Sequence, residues 1–109
     1  MTRRAEFARV RREGRSVAGR YLVMATLEDP ELPHLKLGLI TSRKCGKAVV
    51  RNRIRRRLRA IVSRHGASLE GKRYLVLVAR FSAGEAAFRE LEEEWLRLAG
   101  RLGILGKES

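Results

Sequence analysis

The sequence predicts an α+β sandwich with elements in the order helix, two or three strands, helix, strand, helix (αβββαβα), around a mixed sheet of about four strands. Three observations carry this. Val50, Ile54, Leu58, Ile61 and Val62 recur at three- and four-residue spacing, as do Phe88, Leu91, Trp95, Leu98 and Leu102, so two amphipathic helices are expected. Between them, Tyr74 to Ala79 is a continuous apolar run flanked by Arg73 and Arg80. That is the pattern of a strand covered on both faces and therefore central in its sheet. Upstream, β-favouring stretches are separated by a loop that holds both prolines.

Taken in order, Arg3 to Glu13 suits a short helix with Phe7 and Val10 on its apolar side, a basic opposite face, and Gly14 as a left-handed terminator. Ser16 to Ala18 adds a brief strand, and Tyr21 to Leu27 a clearer one, ahead of the turn-prone Glu28-Asp29-Pro30. A loop runs to His34. Leu35 to Thr41 reads as the next strand, interrupted by Gly38 where another backbone or a ligand comes close. The helix from about Ala48 to His65 ends at Gly66, and its outer face is nearly all arginine. Ser82, with Glu85 three residues on, makes a capping box for the last helix. That helix carries Glu90, Glu92, Glu93 and Glu94 and should face away from any polyanion. Trp95, Phe88 and Tyr74 are assigned to the core.

The 109 residues suit a single domain spanning 1–109, with 44% hydrophobic residues and 34% charged ones, enough apolar surface to fold alone. No apolar stretch is long enough to span a bilayer, and the start Met-Thr-Arg-Arg lacks the apolar region of a secretion signal. A cytoplasmic location is expected. The lone cysteine, Cys45, has no disulfide or zinc partner in the sequence and reads as a small semi-buried residue.

Charge points to the partner. There are 25 Lys plus Arg against 12 Asp plus Glu, a formal +13. No acid occurs between Glu31 and Glu70, while that interval holds Arg43, Lys44, Lys47, Arg51, Arg53, Arg55, Arg56, Arg57, Arg59 and Arg64. A solvated helix face usually interleaves Glu with its cations. Here the sequence offers no such partner, and arginine's planar fork suits phosphate, so a nucleic acid is expected rather than a membrane. Arg51, Arg55 and Arg59, with Arg56 a fraction of a turn away, could follow a phosphate ridge. Asn52 among them suits a base edge, a 2′-hydroxyl or a metal-bound water, or is simply an exposed position. Gly46 allows the backbone to turn into the helix.

No catalytic constellation is visible. His34 and His65 lack metal-ligand spacing, and His65 suits a cation at a helix C-terminus. The acids sit on the last helix rather than in a pocket pattern, and no phosphate-loop motif is present. A nuclease acting alone needs acidic metal ligands or a nucleophile with its base, and neither can be nominated.

The run Ser42-Arg43-Lys44-Cys45-Gly46-Lys47-Ala48-Val49-Val50-Arg51-Asn52-Arg53-Ile54-Arg55-Arg56 resembles the signature of the bacterial ribonuclease P protein family. The likeness continues through Phe7, Val10 and Gly14, Ser16-Val17-Ala18 before Arg20, the Gly38 strand, and Ala79-Arg80, up to about Leu102. The resemblance implies a left-handed βαβ crossover in a fold like ribosomal protein S5 domain 2. It implies a subunit that assists a catalytic RNA in removing the 5′ leader of precursor tRNA, with Mg2+ bound mainly by that RNA and the substrate. The implied partners are ribonuclease P RNA and precursor tRNA, with no protein partner evident. By the same resemblance Arg43, Lys44, Lys47, Arg51, Asn52, Arg53, Arg55, Arg56 and Arg59 bind RNA, and Phe7 and Arg11 line the leader cleft. Phe7 is either a cleft residue or purely core. The chain departs from the family in having Arg11 where a second aromatic is common and Ala25 where a strand aromatic is frequent, which puts leader stacking in doubt. The rival function is a structural or assembly protein on ribosomal RNA.

Overall fold

A computed structural model describes residues 3–69 and 71–105; the expected domain ends at Met1 and Ser109 lie outside the described residues. In chain order the elements are α1 (Arg3–Glu13), β1 (Arg15–Ala18), β2 (Leu22–Glu28), β3 (Lys36–Ile40), α2 (Ala48–His65), β4 (Arg73–Ala79) and α3 (Phe88–Leu102), with single-turn 3-10 segments at Arg43–Cys45, Gly66–Ser68 and Phe81–Glu85. The order αβββαβα is the expected one, and strand ends move by no more than a residue or two.

The strands lie in the order β1-β2-β4-β3. β1 with β2 and β2 with β4 are antiparallel, whereas β3 and β4 are parallel. Parallel neighbours need a crossover, and α2 occupies it. The apolar run of β4 is central because both of its faces are covered. Alternation divides its side chains: Leu75, Leu77 and Ala79 join the larger cluster with α2 and α3, and Tyr74 and Val76 join the smaller one with Val10 of α1. Trp95, Ile54, Leu58, Ile61, Leu91 and Leu98 are at most 1% exposed, so the two apolar stripes form the main core. α1 lies on the opposite face of the sheet, where Leu32 of the loop after β2 packs against the same cluster.

Three local expectations change. Gly14 lacks the left-handed backbone of a terminator, because positive φ occurs only at Gly46, Gly71 and Gly103 among the described residues. Its requirement is steric: a Cβ there would stand 2.2 Å from the Thr26 carbonyl oxygen. Ser82 does not cap α3, which begins only at Phe88. Its hydroxyl donates instead to the Arg20 carbonyl at 2.7 Å, and Glu90 takes the capping role by accepting from the Ala87 N–H at 2.8 Å. Cys45 is fully rather than partly buried at 5% exposure, its thiol 3.4 Å from the Ala79 carbonyl.

The acids of α3 do not all face solvent. Glu94 is 2% exposed, and its carboxylate accepts from the backbone N–H groups of Arg20, Tyr21 and Leu22 at 2.8, 2.7 and 2.7 Å. Arg20 and Tyr21 lie in the turn between β1 and β2 and Leu22 opens β2, so one charged acceptor fixes the turn and the start of the strand.

Candidate nucleic-acid interface

The cations of α2 fall on three lines that the helical repeat separates by roughly 100° each. On the flank toward β3 lie Arg51, Arg55 and Arg59. Arg55 donates to the Thr41 hydroxyl just beyond β3, and also to the Asn52 side-chain oxygen at 2.7 Å. Arg55 and Arg59 roof an open cleft of about 610 Å3 whose floor is Leu37 and Leu39 of β3, with Val62 and Ser63. Along the outermost line Val49, Asn52 and Arg56 are exposed. Asn52 keeps its amide N–H groups for solvent or a ligand while its oxygen is engaged by Arg55.

The third line serves the protein itself. Arg53 donates to the Gly84 carbonyl at 3.1 Å and Arg57 to the Ala86 carbonyl at 2.9 Å. Arg64 pairs with Glu92 of α3 at 2.8 Å. His65 shares that carboxylate, also at 2.8 Å, and its ring stacks on Trp95 at 5.7 Å between centroids. The His65 bond is the first cause, and Arg64 the next favourable one, that holds the Glu92 carboxyl below its ordinary range. His65 is thus an interhelix link as well as the last residue of α2. Among the described residues, Arg51, Arg53, Arg55, Arg56, Arg57 and Arg59 form no ion pair.

Arg43, Lys44 and Lys47 lie in the turn that leads from β3 into α2, and all three are exposed. Gly46 makes that turn possible at φ 128°, which side chains rarely tolerate. The helix N-terminus is therefore encircled by cations with no acid in its first turn.

Phe7 stands on the other face of β3. A Cβ at Gly38 would meet its ring at 2.3 Å, so the glycine makes room for an aromatic side chain rather than for a backbone or a ligand. Phe7 is half-buried. One side packs on the cluster of Val10, Ala25, Tyr74 and Val76, and the other lines an open cleft of about 460 Å3 with Arg4, Ala8, Arg11 and Ile40. It is both core and cleft. Ala25 is buried at 5% within the same cluster. Below the ring, Lys36 donates to Glu6 at 2.7 Å, and that bond raises the lysine's pKa. Because β3 is an edge strand, the Arg55–Arg59 cleft and the Phe7–Arg11 cleft are neighbours across a single strand.

Mg2+ prefers several oxygen ligands. Residues 43–59 supply cations and one amide oxygen already engaged by Arg55, so this donor set does not fit a protein-held magnesium ion. Among the described residues no three His, Cys, Asp or Glu lie together as a possible metal site.

Sequence reading missed the three intramolecular duties of Arg53, Arg57 and Glu94. A signal existed for Glu94, which sits three residues after Leu91 and four before Leu98, on the apolar stripe. For Arg53 and Arg57 there was none, because which carbonyls lie free in the 81–86 segment depends on its irregular backbone.

Residues 1–103 match the Ribonuclease P family. The chain is 44% identical over 103 residues to a ribonuclease P protein component from Acidothermus cellulolyticus, covering 94% of this chain and 86% of that one. It is 35% identical to one from Bacillus velezensis, covering 95% and 89%. Its structure superposes on the Staphylococcus aureus RNase P protein with a TM-score of 0.87 at 26% identity, covering 97% and 96% of the two chains. With the Thermotoga maritima RNase P protein the TM-score is 0.81 at 27% identity, covering 93% and 94%.

Proposed function

The chain belongs to the ribonuclease P protein family, a subunit of the endoribonuclease that processes tRNA 5′ ends, and from that premise we infer how its surface works. Its partner is ribonuclease P RNA, which contributes the catalysis and holds the magnesium ions. The protein's own part is to bind. Arg43, Lys44, Lys47, Arg51, Asn52, Arg55, Arg56 and Arg59 take RNA phosphates and 2′-hydroxyls, and Arg53 joins them from the flank while it braces Gly84. Phe7 and Arg11 receive the single-stranded leader of precursor tRNA, with the guanidinium standing where a second aromatic would otherwise stack. The RNA path crosses edge strand β3 from one cleft to the other.

The observation that carries this reading is the uncompensated cation face. Self-repulsion among these groups costs stability until a polyanion arrives, yet among the described residues no carboxylate pairs with them while Glu92 is given to Arg64 and His65. Reconstitution tests it: purified protein, a bacterial ribonuclease P RNA and a precursor tRNA at low magnesium, with leader release measured. The protein should raise the rate over RNA alone. Equal rates with and without protein would defeat the proposal and favour a ribosomal RNA ligand instead.

A further inference from the structure

Phe81 is 72% exposed, one of two large hydrophobic side chains left in water among the described residues; the other is Val49. Its exposure is not the result of a loose loop. Where β4 ends, Arg80 donates its N–H to the Tyr21 carbonyl at 2.8 Å. Ser82 holds the Arg20 carbonyl at 2.7 Å, Arg53 holds Gly84, and Arg57 holds Ala86. Ala83 and Ala86 are buried at 1% and 3%. A segment bonded at every second residue from Arg80 to Ala86 keeps its one aromatic ring turned outward.

The surroundings decide what such a ring can meet. The bonds just named bring the backbones of Arg20 and Arg80 against it, with the Arg80 guanidinium donating to the Gly19 carbonyl at 3.1 Å and the Arg20 guanidinium 5.4 Å from the Tyr21 ring, and the Arg43–Cys45 turn, with exposed Arg43 and Lys44, packs on the same segment. A Cβ at Gly84 would touch Val50 at 3.0 Å, so the first turn of α2, carrying exposed Val49, adjoins it as well. The acids near this end are exposed Glu85 in the segment itself, Glu90 at 3.4 Å from the Tyr21 hydroxyl, exposed Glu93 beside Arg20 and Tyr21, and Glu94, which is buried on backbone donors. A second copy of this chain would bring the same net +13 to the contact and be repelled. An anionic backbone carrying flat apolar faces meets both requirements at once, and that is single-stranded RNA.

We propose that Phe81 is a stacking platform for an unpaired base of the bound RNA, on a side of α2 distinct from the Phe7 cleft. This rests on the reading that residues 43–59 face RNA. A stacked base adds affinity that salt does not screen, whereas the cations add affinity that it does.

The test compares wild type with Phe81→Ala, Phe81→Leu and Phe81→Trp, using ribonuclease P RNA over a salt series. Since the ring is exposed, all variants should keep the wild-type circular dichroism. Phe81→Ala should weaken binding about 5- to 100-fold with the slope of log K against log salt unchanged. Leu should resemble Ala, because an aliphatic side chain has no π-face. The Phe81→Trp protein should lose emission on RNA addition while wild type, whose Trp95 is fully buried, should not. Equal affinity for Phe and Ala, or full rescue by Leu, would overturn the proposal. So would indole emission from the Phe81→Trp protein that changes with protein concentration in the absence of RNA, which would mark a self-association surface. If wild type itself bound without salt dependence, the underlying cation-face reading would fall, a result distinguishable from loss of the Phe81 effect alone.

Discussion

Arg56→Ala isolates the electrostatic part of RNA binding. Arg56 lies on the outermost line of α2, is exposed, and makes no ion pair among the described residues. Arginine and alanine have similar helix propensity, so the substitution removes a charge and little else. Binding that neutralises phosphates releases counterions, and each contact contributes about 0.7 (single strand) to 0.9 (duplex) to the magnitude of the salt slope. The eight cations assigned to RNA, Arg43, Lys44, Lys47, Arg51, Arg53, Arg55, Arg56 and Arg59, with one phosphate each, give a wild-type slope of about −5.6 to −7.2. Arg56→Ala should make it shallower by one step, about 0.7 to 0.9. Arg64→Ala is the matched control, since it deletes the same charge from the same helix at a site already paired with Glu92. Fluorescence anisotropy of labelled ribonuclease P RNA across a salt series reads both. Identical slopes for wild type and Arg56→Ala would refute direct phosphate contact. An equal drop in Arg64→Ala would show that only net charge matters and that position on the helix does not.

Two further outcomes concern the scaffold. Glu94→Ala removes a 2% exposed carboxylate that serves three backbone N–H groups, one buried and two half-buried, and should cost about 3–5 kcal/mol, lowering the melting temperature by roughly 10 to 30 °C. A thermal melt displaced by under about 1 kcal/mol would mean that water or a rearranged turn satisfies those donors. Glu92, held below its ordinary range first by His65 and then by Arg64, contributes stability that is fully present above its unfolded pKa of about 4.3 and is lost as pH falls through the lower folded value. Glu92→Gln should therefore flatten the decline in stability on the acid side, as read from urea midpoints; parallel acid limbs for the two proteins would remove the link.

Much of the fold was legible because two periodicities rarely conflict here. The stripe Ile54, Leu58, Ile61 and Val62 and the stripe Leu91, Trp95, Leu98 and Leu102 are the buried faces of α2 and α3, and the uninterrupted run Tyr74–Ala79 is the central strand. The turn at Gly46 and the crowding at Gly38 were legible as well, though not the identity of the neighbour. What crowds Gly38 is Phe7, far earlier in the chain, and such a contact is set by how α1 lies on the sheet. The start of α3 was misplaced for a related reason. Ser82 and Glu85 have capping-box spacing, but the Phe81–Glu85 segment is braced from outside by Arg20, Arg53 and Arg57, and these tertiary bonds compete successfully with a local cap.

An arginine-dense helix without acids in its sequence neighbourhood reads as one polyanion-binding face, and the structure adds a second duty for its arginines. The 81–86 segment is a 3-10 turn and its end, outside any strand ladder. A buried or half-buried carbonyl needs a donor, and long guanidinium side chains on the adjoining flank of α2 are the nearest source. Arg53 and Arg57 meet that need four residues apart, the spacing that places both on the flank the segment crosses. The remaining cations occupy the other two lines, beside edge strand β3 and on the outermost ridge. The proposed RNA-facing band therefore has its exposed cations beside β3 and on the outermost ridge, with Arg53 reaching it only from the flank. Its two margins differ in kind, with the proposed leader cleft around Phe7 on one side and, on the other, a segment braced by Arg53 and Arg57.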